Sequence, residues 1–296
     1  MISGGLFAAL VTPYTKAGEV DYRMVKRLVR YLISQDIQGF YVCGSSGESF
    51  LLNDFERQSI LEAVCEENNG DKPVICHCGA LSTRQTLALA KHAVRTGIDA
   101  ISSIPPIFFK YTQQEIVDYY KELAVESGVP VVVYNFPDQV GFPVTAGMIQ
   151  EMTKAASNII GIKHTSTDLF QMERMKTQNP HLLIFNGYDE ILLSGICAGA
   201  DGAIGSTFNA IPKVYLRVME AFENGDISTA RAYQTLANDF IQILMKNGVL
   251  VSIKAYLECE GIMCNGSRKP FSSILEDTVR HELSVYHKRY IKMLES

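Results

Sequence analysis

The chain has 296 residues, 47% apolar and 20% charged, with a formal net charge of −5 at pH 7. That content supplies a sizeable core but not the basic excess expected of a non-specific nucleic-acid binder. The apolar runs, such as Val131–Tyr134, are far shorter than the roughly 20 residues a bilayer span needs, and Met1-Ile2-Ser3-Gly4-Gly5 lacks the basic start and apolar stretch of a signal peptide, so the expected compartment is the cytoplasm.

The chain alternates short apolar runs with amphipathic stretches. Gly5–Leu10 reads as a first strand and Tyr22–Ser34 as its helix, with apolar residues at Val25, Leu28, Val29 and Leu32. The same unit repeats as Gly39–Cys43 with Asp54–Glu67, Pro73–Cys78 with Thr83–Thr96, and Ala100–Ile104 with Gln113–Ser127. It continues as Pro130–Tyr134 with Thr145–Ala155, then Ile159–Lys163 with Asp168–Gln178. Leu182–Asn186 with Glu190–Ala198 and Gly202–Ile204 with Pro212–Glu223 complete the series.

Apolar strands each followed by a helix indicate a parallel sheet buried on both faces. Eight such units predict an α/β fold of the closed (β/α)₈ TIM-barrel type, rather than an open doubly wound sheet. The open sheet would place a glycine-rich dinucleotide fingerprint after its first strand, where this chain has Val11-Thr12-Pro13-Tyr14. Beyond about Gly225 the alternation stops, and Ser228–Lys246, Ser252–Cys264 and Thr278–Leu294 read as helices. The predicted organisation is a catalytic barrel over residues 1–224 and a C-terminal helical extension over 225–296, packed on the barrel.

Seven cysteines, an odd number in a long chain, fit free thiols in a reducing compartment. Cys76-His77-Cys78 has the look of a metal motif. In a strand, however, residues 76 and 78 share one face while His77 points to the other, so no metal is expected.

Active sites of such barrels lie at the C-terminal ends of the strands. The sixth strand ends in Gly161-Ile162-Lys163-His164-Thr165. A lysine closing an apolar strand is partly desolvated, which favours the neutral amine that attacks a ketone to form an imine. The bland alternative is a lysine that snorkels outward or pairs with a carboxylate. Tyr134 closes the fifth strand as Lys163 closes the sixth. Adjacent strands are about 4.8 Å apart, so both side chains reach one reacting carbon if both point inward. Tyr134 is then a proton shuttle, or else simply a barrel-lining aromatic.

Gly44-Ser45-Ser46-Gly47-Glu48, after the second strand, offers hydroxyls and backbone N–H groups as a carboxylate cradle; most Gly/Ser loops are only turns. Asn186-Gly187-Tyr188-Asp189-Glu190, after the seventh, sets two carboxylates at the rim, suited to sugar hydroxyls or merely to a helix N-terminus. Gly199-Ala200-Asp201-Gly202-Ala203-Ile204-Gly205-Ser206-Thr207 spans the eighth strand. Phosphate often binds near strands seven and eight of such barrels, but Asp189 and Glu190 favour a polyhydroxylated, non-phosphorylated ligand.

Taken in order, Gly-Ser-Ser-Gly-Glu, Tyr-Asn-Phe-Pro, Gly-Ile-Lys-His-Thr-Ser-Thr-Asp-Leu, Asn-Gly-Tyr-Asp-Glu and Gly-Ser-Thr-Phe-Asn resemble the N-acetylneuraminate lyase branch of the dihydrodipicolinate synthase superfamily of class I aldolases. The resemblance extends to Arg268-Lys269-Pro270-Phe271, essentially the whole chain. It implies that Lys163 is the Schiff-base lysine and Tyr134 the proton carrier. It also implies that Ser45 and Ser46 hold the pyruvate carboxylate, while Thr165, Gly187, Asp189, Glu190 and Ser206 hold the sugar portion. The implied reaction cleaves N-acetylneuraminate, a sialic acid, to N-acetylmannosamine and pyruvate in a homotetramer that uses no metal or organic cofactor.

Two positions depart from the family pattern. Ser45-Ser46 stands where Ser-Thr is expected, which preserves the hydroxyl. Pro106-Ile107-Phe108-Phe109-Lys110-Tyr111 has phenylalanines where many relatives carry a tyrosine that reaches the neighbouring subunit's site, so that hydroxyl is either missing or supplied by Tyr111. The nearest rival is dihydrodipicolinate synthase, but its expected arginine after Tyr-Asn-x-Pro is replaced by Asp138-Gln139-Val140. Another 2-oxo sugar-acid aldolase and a non-catalytic sialate- or pyruvate-binding barrel complete the alternatives.

Overall fold

The computed structural model describes residues 2–271 and 275–294. Its strands are β1 (Gly5–Ala9), β2 (Gly39–Val42), β3 (Val74–His77), β4 (Ala100–Ser103), β5 (Val131–Asn135), β6 (Ile159–His164), β7 (Leu183–Asn186) and β8 (Gly202–Gly205). They close into one parallel barrel in sequence order, as eight apolar runs separated by helices predict. β2, β3, β4 and β5 are buried at every position, which is why these segments read as continuous apolar runs rather than alternating ones.

Contacts cluster into two compact units. One comprises Met1–Phe7, Gln38–Val42 and Gly70–Gly205. It holds most of the barrel with α3 (Thr83–Thr96), α4 (Gln113–Ser127), α5 (Pro137–Val140), α6 (Ala146–Ala155), α7 (Leu169–Gln178) and α8 (Leu192–Cys197). Serine, threonine or aspartate caps start the longer helices: Ser82 accepts from Gln85 N–H, Thr145 from Met148 N–H and Asp168 from Gln171 N–H, satisfying donors a helix cannot satisfy itself. Within this unit the β5–β6 register sets Tyr134 opposite Lys163 and Asn135 opposite His164.

The other unit comprises Ala8–Ile37, Cys43–Asn69 and Ser206–Ser296. It contains α1 (Tyr22–Ser34), α2 (Asp54–Asn68), α9 (Pro212–Glu223), α10 (Ile227–Asn247), α11 (Val249–Leu257) and α12 (Asp277–Leu294). α1 packs on α2, α10 on α9, and α11 on both α10 and α12. Phe240 of α10 meets Tyr256 of α11 at 5.0 Å and Tyr286 of α12 at 4.8 Å between ring centroids, so Phe240, with the buried Ile241 and Leu244, contributes to an intramolecular core, while Met245 is exposed. Among the described residues no single helix is long and apolar enough to cross a membrane.

The larger departures from the sequence expectation lie after β5, after β7 and beyond residue 247. The helix expected over Ser252–Cys264 begins at Val249 and ends at Leu257; a 3₁₀ turn follows and Gly261, at φ 72°, breaks the chain direction. Gly248, at φ 91°, separates α10 from α11, whose axes are bent by 116°. After β7 a 3₁₀ turn, Asp189–Ile191, precedes α8. Pro137 starts the short α5, which sequence periodicity could not show because it lasts only four residues.

Candidate active site

Lys163 is buried, with 5% of its surface exposed, near the end of β6. Its Nζ lies 4.3 Å from the centroid of the Tyr134 ring and 4.7 Å from that of Tyr41. Ring faces at that range attract a cation electrostatically. Among the described residues the lysine forms no ion pair, so the snorkelling and carboxylate-paired alternatives do not describe it. Tyr41 and Tyr134 cross nearly at right angles, 6.1 Å between centroids.

His77, from the end of β3, joins this aromatic group at 6.1 Å from Tyr41 and 6.0 Å from Tyr134. The Ile104 N–H donates to His77 Nε2 at 3.1 Å, which assigns the proton of a neutral ring to Nδ1. Tyr41 O–H donates to Ser102 Oγ at 3.0 Å. Burial pushes the Tyr41 hydroxyl well above the usual phenol range, and the neighbouring Tyr134 adds to the shift. Cys78 Sγ lies 3.9 Å from Cys76 Sγ; their convergence apart from the His77 aromatic contacts fits the alternation of strand faces.

One residue beyond the Tyr134–Lys163 pair, Asn135 and His164 tie the two strand ends together. Asn135 Nδ2–H donates to His164 Nδ1 at 3.0 Å, and His164 Nε2–H donates to the Asp168 carbonyl at 3.1 Å. Asn135 Oδ1 in turn accepts from Val144 N–H at 2.9 Å. A ring that accepts at one nitrogen and donates at the other is neutral. Burial lowers the His164 pKa, against a smaller opposing pull from the Asp168 carbonyl.

Below about pH 6.5, the ordinary imidazole value, an unfolded chain takes up a proton that the folded one resists, so folding weakens as pH falls until the depressed folded pKa is reached. Urea unfolding between pH 7.5 and 5 is expected to show this loss, and His164→Gln should flatten the profile. An equally steep profile in the variant would remove His164 as its source.

Immediately after β6, Thr165 is buried and its Oγ1 makes no hydrogen bond. A Cβ on Gly187 would overlap that oxygen, so only glycine fits where the two loops meet. Asp189 is buried and Glu190 half-buried, both in the 3₁₀ turn after β7. Burial raises the Glu190 pKa, and the adjacent Asp189 carboxylate raises it further. Tyr188 O–H donates to Asp138 Oδ2 at 2.6 Å, and the Phe136 ring lies between Tyr134 and Tyr188, at 5.8 and 6.1 Å.

Ser45 and Ser46 belong to the second unit, in a 3₁₀ turn ending at Gly47. Ser45 is exposed and Ser46 half-buried. Ser206 lies in the same unit, immediately after β8, and its carbonyl accepts from Asn209 Nδ2–H at 2.7 Å. In the loop after β4, Phe108 is 89% exposed at φ 86° and packs edge-on against Phe109; Tyr111 is half-buried.

Tyr41, His77, Asn135 and His164 are the residues that sequence reasoning missed. Each is a polar or amphipathic side chain in or closing an apolar strand, the same signal that identified Lys163 and Tyr134.

Comparison with known proteins bears on what this arrangement does. A model of the dihydrodipicolinate synthetase family matches residues 2–288. N-acetylneuraminate lyase 2 of Escherichia coli is 40% identical over 274 residues, covering 92% of this chain and 90% of that protein. The structure of a catalytic lysine mutant of the Ruminococcus gnavus sialic acid aldolase superimposes with a TM-score of 0.95 at 30% identity, covering 98% of this chain and 97% of the other. CdNal of Clostridium difficile, solved in complex with mannosamine, gives 0.94 at 30% identity, with 98% and 99% covered.

Proposed function

Because the chain belongs to the dihydrodipicolinate synthetase family, we propose that it is a Schiff-base aldolase that reversibly cleaves N-acetylneuraminate to N-acetylmannosamine and pyruvate. The observation that carries this reading is the buried Lys163 amine held between the Tyr41 and Tyr134 ring faces. The similarity to a lyase of that name over 92% of the chain supports the substrate.

In the proposed reaction the Lys163 amine attacks the C2 ketone of open-chain N-acetylneuraminate, and loss of water leaves a protonated imine. Tyr134, directly or through the bound carboxylate, removes the proton from the C4 hydroxyl. The C3–C4 bond then breaks; its electron pair forms the C2–C3 double bond of an enamine, and the C4 oxygen becomes the aldehyde of N-acetylmannosamine. Protonation at C3 restores the imine, and water releases pyruvate and the free amine. The imine acts as the electron sink throughout, so no metal or organic cofactor is required.

Ser45 and Ser46 are assigned the carboxylate by family resemblance. Thr165, Gly187, Asp189, Glu190 and Ser206 are assigned the polyhydroxylated portion. The unpaired Thr165 Oγ1 and the two carboxylates after β7 suit a ligand rich in hydroxyls, since a buried polar atom is otherwise costly to leave unpaired. Asp138, engaged by Tyr188, occupies the segment where a dihydrodipicolinate synthase would carry arginine, which disfavours that rival. A homotetramer in the cytoplasm, serving carbohydrate metabolism, completes the proposal on the same resemblance.

The test is to add N-acetylneuraminate with borohydride, supply no pyruvate, and map adducts by peptide mass spectrometry. A pyruvate- or sialate-sized addition on Lys163 is expected. If pyruvate traps but N-acetylneuraminate does not, the aldolase stands and the sialic acid assignment falls. If neither traps, the catalytic reading gives way to a binding protein.

A further inference from the structure

The turn that carries Ser45 and Ser46 ends in a residue under unusual constraint. Glu48 is a non-glycine residue in the left-handed region, at φ 59° and ψ 34°, and only 3% of it is exposed. Such a backbone is strained for a side-chain-bearing residue and persists only where its surroundings hold it. Here both carboxylate oxygens are held. Oε1 accepts from Lys254 Nζ, and Oε2 accepts from Arg268 N–H at 2.8 Å.

Lys254 comes from α11, 206 residues along the chain, and has no exposed surface. Its ammonium also donates to the Gly266 carbonyl at 2.9 Å and sits 4.3 Å from the centroid of the Tyr14 ring. Burial lowers its pKa while the Glu48 carboxylate pulls it upward. Arg268 reaches past this pair to the Leu51 carbonyl at 3.0 Å and forms a bidentate pair with Glu56. From the other side, Thr12 O–H donates to the Gly47 carbonyl at 2.7 Å. The serine turn is therefore fixed at its closing residue, beyond that residue, and at its last carbonyl.

A fully buried ion pair is a poor source of net stability, since removing two charges from water offsets much of their attraction. Its better-attested contribution is to specify geometry. We propose that the Glu48–Lys254 pair is a positioning device for the serine turn, holding Ser45 and Ser46 in the conformation that receives the substrate carboxylate. This rests on the assignment of the carboxylate to those serines and adds the element that orients them.

The test uses the full chain with both charges removed, Glu48→Gln with Lys254→Met, so that no unpaired charge is left buried. Glu48→Gln alone, which keeps the size and an acceptor for Arg268 N–H, is the second variant. Borohydride trapping on Lys163 is measured against concentration for pyruvate and for methyl pyruvate, which lacks the carboxylate.

The half-saturating pyruvate concentration is expected to rise about tenfold or more, the scale of a hydrogen bond to a charged group. The adduct yield at saturation and the methyl pyruvate response should stay as in the parent. Ser45→Ala is expected to show the same selective rise. If Ser45→Ala shows it and the folded pair variants do not, the positioning proposal is overturned and the carboxylate assignment stands. If Ser45→Ala leaves pyruvate binding unchanged, the assignment itself fails and the proposal with it. An equal loss for pyruvate and methyl pyruvate would reduce the pair to a merely structural role.

Discussion

Replacing Lys163 by methionine is expected to abolish every borohydride-trapped adduct and to lower turnover of N-acetylneuraminate at least about a thousandfold, the scale seen when a covalent nucleophile is lost. Methionine keeps a flexible apolar chain of similar length against the Tyr41 and Tyr134 rings, so the change isolates the amine. Folding is expected to survive it, and a higher melting temperature would be unsurprising. The amine is buried among ring faces and has no ion-pair partner among the described residues, so removing it leaves no orphaned carboxylate, the usual cause of large losses. Pyruvate release and adduct mass, measured on the same preparation, decide the outcome. Turnover within tenfold of the parent would sink the imine mechanism.

The barrel and the neighbouring placement of Lys163 and Tyr134 were legible in the sequence for one reason. Strands buried on both faces read as apolar runs, so a lone lysine or tyrosine at the end of such a run stands out. That placed Lys163 and Tyr134 at neighbouring strand ends, and the register sets them opposite each other. The same burial hid their companions. In an alternating strand the inward positions are visible from the pattern, but Gly39-Phe40-Tyr41-Val42 gives no parity, so nothing in β2 says that Tyr41 faces Lys163. For His77, the alternation of strand faces gives the side it avoids but not the rings it joins.

Long-range pairs were illegible for a different reason. Glu48 and Lys254 are 206 residues apart, and each alone looks like an ordinary surface charge. Helix ends were readable where a cap or a glycine marks them, as at Thr145 or Gly97. They were misplaced after residue 248, where a glycine starts one helix and stops another.

Tyr134→Phe is expected to separate proton transfer from imine formation. The phenylalanine ring keeps the face that lies 4.3 Å from the Lys163 amine, so pyruvate should still trap on Lys163 with a half-saturating concentration within about threefold of the parent. Only the hydroxyl is lost. Turnover of N-acetylneuraminate should fall about a hundredfold to ten-thousandfold, the usual contribution of a positioned acid–base group.

Tyr41→Phe is the informative control, because Tyr41 also packs against Lys163 but its hydroxyl donates to Ser102. Burial raises that hydroxyl's pKa well above the phenol range, which disfavours the phenolate a general base would need. Its loss should therefore cost less than about tenfold in turnover. Were Tyr41→Phe the more damaging change, with Tyr134→Phe near the parent, the proton carrier would have to be reassigned to the second strand. Equal damage from both, with trapping also lost, would show that both hydroxyls serve imine formation itself, and the later proton transfer could then be assigned to neither alone. A drop confined to turnover and to Tyr134→Phe is the one pattern that requires a hydroxyl at the end of the fifth strand to act on the sugar C4 oxygen after the imine has formed.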